Sequence, residues 1–228
     1  MQIAVVVVVL IACVGVIRGL LWLRIRQQQR KLQNELKVRF DRLNAALETM
    51  RQSQREAFTA KFIVPMRARA AIEARELRDE AGRRLSKAGQ KLSQAGIRLS
   101  AANGHVSQDV LARLQTGYEE ASEYFRSALA GLSSAQHDVT RCEAKERGAR
   151  ERFIQASQTF VHNAEFARRA YEALEADLAI LSNVAKNQNF PALAQDWLRT
   201  KTVARLVGVE IEHNVACAYR YQDEAVKG

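Results

Sequence analysis

Arg84-Leu85-Ser86-Lys87-Ala88-Gly89-Gln90, Lys91-Leu92-Ser93-Gln94-Ala95-Gly96-Ile97 and Arg98-Leu99-Ser100-Ala101-Ala102-Asn103-Gly104 are three copies of one heptad. Leu85, Ala88, Leu92, Ala95, Leu99 and Ala102 recur at alternating steps of three and four. That is the period of a coiled-coil seam, with a small residue at every second position to let a partner backbone come close. Gly89 and Gly96 flank the seam, each costing a helix about 1 kcal/mol against Ala. The third copy ends on Asn103-Gly104, a turn signal, and Ser107 stands where a cap for the next helix belongs.

The returning arm carries a matching stripe. Leu114, Tyr118, Ala121, Phe125, Ala128, Leu132, Ala135, Val139 and Cys142 keep the same rhythm. It continues through Glu146, Ala149, Phe153, Ser157, Phe160, Ala164, Ala167, Tyr171, Leu174, Leu178, Leu181 and Ala185, with only Glu146 and Ser157 polar. Upstream, Leu32, Leu36, Phe40, Leu43, Leu47 and Met50 supply the facing stripe. Near the end, Trp197, Ala204, Gly208, Ile211, Val215 and Ala218 form another.

Such a chain is all-α, an elongated antiparallel helical bundle with coiled-coil-like packing. Breaks at Pro65, Asn103-Gly104, Gly148 and Asn187 to Pro191 divide it into helices over 27–62, 66–102, 107–146, 149–186 and 192–226. Residues 66–146 read as an elongated hairpin. Pro65 and Gly148 stand at similar distances from the 103–104 turn, so both are kinks or both are turns. The register unbroken through 148 favours a continuous second arm, and Pro65 predicts a bend. The last helix is expected antiparallel to 149–186 and beside 27–62.

Residues 1–26 differ in kind. Ile3 to Leu23 is apolar except for Arg18, and about 20 such residues are needed to cross a bilayer as a helix. Arg18 falls near the end of the run, where it can snorkel to headgroups, and Trp22 sits at the interfacial level. No Lys or Arg precedes the run, whereas Arg18, Arg24, Arg26, Arg30 and Lys31 crowd its end. A cleaved secretory signal begins with positive charge, which argues against that reading. Leu10-Ile11-Ala12-Cys13 looks like a lipobox, but Val14 to Leu23 stays mostly apolar after it. The charge asymmetry predicts the N-terminus outside and the bulk, 27–228, in the cytoplasm of a bacterium, anchored once in the inner membrane.

The chain holds 35 Lys and Arg against 25 Asp and Glu. Residues 18–105 hold 20 of the bases and 8 of the acids, so the first half carries the whole surplus. In an anchored chain, anionic lipid headgroups are the nearest partner for it, at about 1 kcal/mol per basic residue beside the leaflet. No recognition motif for nucleic acid accompanies the charge. Phe40, Phe58 and Phe62 fall at helical spacing and read as core. Cys13, Cys142 and Cys217 form no CxxC or disulfide framework, which fits a reducing compartment.

Glu210-Ile211-Glu212-His213 contains an E-x-x-H, and His162 with Glu165 makes an H-x-x-E. A di-iron bundle needs the motif twice with two further carboxylates, so a metal-dependent enzyme is the weakest of the readings. His105 and His137 stand alone. No phosphate-binding glycine loop or nucleophile elbow appears. The sequence predicts no catalytic residues and no cofactor.

Leu36-Lys37-Val38-Arg39-Phe40-Asp41 resembles the L-K-x-R-[FY]-D signature that follows the anchor in the LemA family of bacterial membrane proteins. Leu178 to Leu193, with Asn189-Phe190-Pro191-Ala192-Leu193, is similar to another family stretch. So is Glu212 to Val226, through Glu212, Val215, Ala216, Ala218, Arg220, Glu224, Ala225 and Val226. Asn44-Ala45 and Gln222-Asp223 depart from the pattern, and 66–147 has no counterpart. The resemblance implies an N-terminal anchor and an antiparallel bundle, with no catalytic residues. Some relatives take part in building membrane compartments. The expected function is a membrane-anchored scaffold or interaction protein that self-associates or binds a helical partner. The alternative is a protein that shapes membranes or clamps anionic lipid through its basic half.

Overall fold

A computed structural model describes the backbone of residues 2–102, 106–187 and 191–227, and the side chains of 18–102, 106–180, 182–183 and 199–227. Three helices account for these residues: α1 (Gln2–Ala102), α2 (Gln108–Asn187) and α3 (Pro191–Lys227). The chain is all-α and its helices pack as a bundle. The Asn103-Gly104 turn and the loop before Pro191 lie outside the described residues.

The division into five helices does not hold, because Pro65 and Gly148 both lie inside continuous helices. Neither is a turn. Pro65 is exposed and stands inside α1, where it removes one backbone donor from the helix. Gly148 has no heavy atom within 4 Å of where a Cβ would stand. It costs helix propensity but marks no close approach.

The helices form two compact units, one of residues 1–57 with 156–227, the other of 58–155. The first holds a three-helix core of Leu43, Leu47, Met50, Phe160, Leu174 and Ile211 among smaller residues. The sequence stripes meet there. Leu43, Leu47 and Met50 of α1 face Phe160, Ala164, Ala167, Leu174 and Leu178 of α2 and Ala204, Ile211, Val215 and Ala218 of α3. The Arg39–Asp177 ion pair sets α1 antiparallel to α2. Tyr219 bonded to Glu165, and Phe160 beside Tyr221 at 6.1 Å, set α3 antiparallel to α2. α3 therefore runs beside α1, as its stripe requires. Pro191 opens α3, a first helical position that needs no N–H partner. Trp197, Leu181 and Ala185 fall outside the described side chains.

The second unit is a helical hairpin. The carbonyl of Ser107 accepts the amides of Val110 and Leu111 at 3.1 Å, so Ser107 occupies the N-cap position of α2. The Arg75–Glu143 ion pair at 2.9 Å ties the arms. Of the predicted seam, Ala88 is buried, and Leu85, Leu92, Ala95, Leu99 and Ala102 are half-buried and inward. Gly89 and Gly96 receive rings rather than a backbone. A Cβ on either would lie 3.6 Å from Phe125 or Tyr118, in ordinary contact.

Phe58 and Phe62 are not core. They are 59% and 65% exposed, whereas Phe40 is half-buried. Two helices cover only one face of each other, and among the described residues no third helix reaches the outer face in this unit.

Candidate functional site

The basic collar of α1 runs from Arg18 to Lys31. Arg18, Trp22, Arg24, Arg26, Arg30 and Lys31 are all exposed. The register of the first unit explains why. Arg39 pairs with Asp177, so the end of α2 at Asn187 lies level with Gln29. Gln29 is the first residue of α1 with a described side chain that is half-buried. Upstream of it α1 has no partner helix among the described residues.

Leu20, Leu21, Trp22 and Leu23 are each more than half exposed. Four consecutive residues make a full turn, so the apolar surface there goes round the helix. At about 100° per residue, Arg18, Arg24, Arg26, Arg30 and Lys31 spread around the helix rather than along one face. The guanidinium of Arg26 lies over the Trp22 ring, 4.9 Å from its centroid. That cation–π contact is worth about 0.5–1 kcal/mol at an exposed site and holds the indole beside the charge. The first acidic residue of the chain is Glu35, beyond the collar. No helix among the described residues is long and apolar enough to cross a membrane. The side chains of Ile3 to Ile17, including Cys13 and most of the apolar run, lie outside them.

The polar contacts of α3 assign the carboxylates of the E-x-x-H stretch. Arg51 donates to Glu210 through Nε at 2.7 Å and Nη2 at 2.8 Å, a two-point clamp between α1 and α3. The hydrogen bond from Arg51 lowers the Glu210 carboxyl below its ordinary value, its burial opposes this, and the charge of Arg51 adds to the lowering. Glu212 lies 3.3 Å from Arg168, whose guanidinium also faces Glu172 and Glu165 at ion-pair distance. Glu165 accepts the Tyr219 hydroxyl at 3.1 Å. His213 has Cys217 3.7 Å away, one turn on. Among the described residues no three His, Cys, Asp or Glu side chains converge as a metal site would require. His162, Glu165, Glu210 and His213 are not brought together as one.

Sequence periodicity does not reveal two features. Asn214 is buried on α3, donates Nδ2 to the Glu210 carbonyl at 2.9 Å, and leaves Oδ1 without a partner. In the second unit an open groove of about 490 Å³ lies between the arms, lined by Lys91, Gln94, Arg98, Arg113, Glu120 and Tyr124. Lys91 stands over the Tyr124 ring at 5.2 Å. The cations on α1 are visible in the heptads, but their approach to Arg113 depends on the hairpin register.

Comparison of the chain with protein-family models, with curated proteins and with solved structures finds no match.

Proposed function

We propose that this protein is a membrane-anchored helical scaffold that works by binding, without catalysis. It is held once in a bacterial inner membrane through Ile3 to Leu23, with its N-terminus outside and its bundle in the cytoplasm. One observation supports the anchor above others. α1 is a single helix from Gln2 through the bundle, and the collar lies where the partner helices end. The exposed Leu20 to Leu23 and the Trp22–Arg26 stack suit a headgroup boundary there. The resemblance to the LemA family belongs to the same proposal. Its residues Leu36, Phe40, Val215 and Ala218 all pack in or against the three-helix core.

A second reading keeps the anchor and gives the basic half a role on anionic lipid. The collar favours it, since five cations stand exposed with no acid before Glu35. Self-association or a helical partner remains the first reading, because the second unit leaves apolar helix surface uncovered.

The test is the fate of a C-terminal tag in spheroplasts, with membranes washed in alkaline carbonate. Retention in the washed membrane, and protection of the tag until permeabilisation, are expected. Release by carbonate removes the anchor, and digestion of the tag in intact spheroplasts reverses the topology. For the lipid reading, the collar variant with Arg24, Arg26, Arg30 and Lys31 all changed to Gln should lose its preference for anionic over zwitterionic bilayers. An unchanged preference sinks that reading.

A further inference from the structure

In the three-helix unit, α3 carries a second stripe on the face turned away from the core. Thr202, Leu206, Val209, His213 and Ala216 recur at steps of four, three, four and three, and all five are exposed. At about 100° per residue the stripe is centred opposite the buried Ala204, Ile211, Val215 and Ala218. Leu206 is 70% exposed and Val209 71%, so neither α1 nor α2 covers them. Arg205, Glu210 and Glu212 flank the stripe, and Arg199 and Arg220 bound its ends. An uncharged face with this three-and-four rhythm is suited to pairing with another helix.

The height of the stripe above the collar selects its partner. α3 runs parallel to α1, and Arg51 against Glu210 sets Leu206 level with Leu47. Leu47 lies about 24 Å along the helix beyond Lys31, the end of the collar. The headgroup layer on each side of a bilayer is only about 5–8 Å deep, so lipid around an upright α1 does not reach the stripe. A second copy does. Anchored in the same membrane with the same topology, it stands at the same height with its α3 pointing the same way. We infer that this stripe of α3 is the self-association surface of the protein, joining two copies as a parallel, in-register pair about a two-fold axis along the membrane normal.

The inference rests on the anchored-scaffold reading above and names its surface. In a parallel seam each flanking residue meets one five positions on in the partner. Arg205 then faces the partner's Glu210, and Glu212 faces the partner's Cys217. No like charges meet at these flanks, and the Arg51–Glu210 and Arg168–Glu212 pairs stay in place. Arg220, at the far end, has Glu224 beside it at 3.5 Å. His213 meets the partner's His213 within the seam, a polar layer that fixes register at some cost in stability. A seam this short falls below the roughly 1,200–2,000 Å² of a standard interface. Tethering offsets the shortfall, because copies held in one membrane meet at a raised effective concentration.

The experiment uses the full-length chain in bacterial membranes, with Cys13, Cys142 and Cys217 changed to Ser and one new cysteine added. A disulfide joins Cα atoms about 4.4–6.8 Å apart, a distance kept by residues that face each other across a close parallel seam. Mild oxidation should link two copies through Val209→Cys and not through Phe166→Cys, which is exposed on α2. Adding Leu206→Glu to the Val209→Cys chain should lower the linked fraction about tenfold or more, because two carboxylates would be enclosed at the seam. Helix content by circular dichroism should not change, since Leu206 is exposed.

A Val209→Cys chain that stays single overturns the inference. Linkage that Leu206→Glu leaves unchanged marks chance collision in the membrane and overturns it as well. Linkage of Val209→Cys to a different protein alone gives the stripe to a helical partner and likewise overturns it. Release of the chain by carbonate removes the anchor reading by itself. In that event linkage of Val209→Cys in the released, purified chain upholds the seam, and its absence overturns it.

Discussion

Gly208→Ala is the sharpest probe of how α2 and α3 meet. A Cβ on Gly208 would stand 2.6 Å from both Cζ and Oη of Tyr171 and 3.1 Å from Cε1. Carbon atoms at rest lie about 3.5–4.0 Å apart, so the ring must retreat by about 1 Å. Tyr171 packs against the core of the three-helix unit. Burial there, with Glu175 next in weight, raises its phenol above the ordinary value. Overpacking of this kind costs about 1–3 kcal/mol. The contact falls on the far end of the ring, which can swing, so the lower part of that range applies. Against it, Ala gains about 1 kcal/mol of helix propensity over Gly. The net expectation for Gly208→Ala is a loss of up to about 1 kcal/mol. In a Tyr171→Leu background the clashing atoms are gone, and the same change should stabilise by about 1 kcal/mol. Tyr171→Phe keeps Cζ in place and should keep most of the cost. Urea denaturation of the full-length chain, followed by circular dichroism at 222 nm, reads the cycle. A stabilising Gly208→Ala in the wild-type background, equal to that in the Tyr171→Leu background, would falsify the packing described here.

Gly148→Ala should stabilise the chain by about 1 kcal/mol, because nothing stands where its Cβ would go and the helix is continuous there; a loss in the same titration would mean the glycine serves as a hinge. Asn214→Leu replaces a buried carbonyl oxygen with no partner by an apolar group of similar volume, so a gain of about 1 kcal/mol is expected, and a loss would show that Oδ1 is satisfied. The Arg51–Glu210 clamp predicts a pH dependence. The folded carboxyl titrates below its unfolded value, so the contribution is present above the unfolded pKa and is lost as pH falls through the lowered folded one. Both side chains are more than a third exposed, which limits the effect to about 1 kcal/mol or less. Glu210→Gln should flatten that part of the acid limb, and an unchanged limb would remove the clamp from the account.

The helix stripes were legible because burial on one face of a helix imposes a local period of 3.5 to 3.6, which a run of residues carries without reference to the rest of the chain. Leu43, Met50, Phe160, Leu174, Ile211 and Val215 are core for that reason. The antiparallel course of α2 and α3 was legible too, since a short connection leaves two long helices little other choice. Three matters depended on how the helices assemble. Phe58 and Phe62 share the period of a core face but are exposed, because a pattern shows that a face is apolar and not whether a neighbour exists to cover it. Pro65 and Gly148 look like breaks, yet a helix passes through an exposed proline and through a glycine with open space around it. Gly208 against Tyr171, and Asn214 above its unpartnered oxygen, are contacts between residues far apart in the chain or polar groups enclosed by them. Their positions follow from the relative register of α2 and α3. That register is settled by the sum of many side-chain contacts across the interface, and no local stretch of residues encodes it.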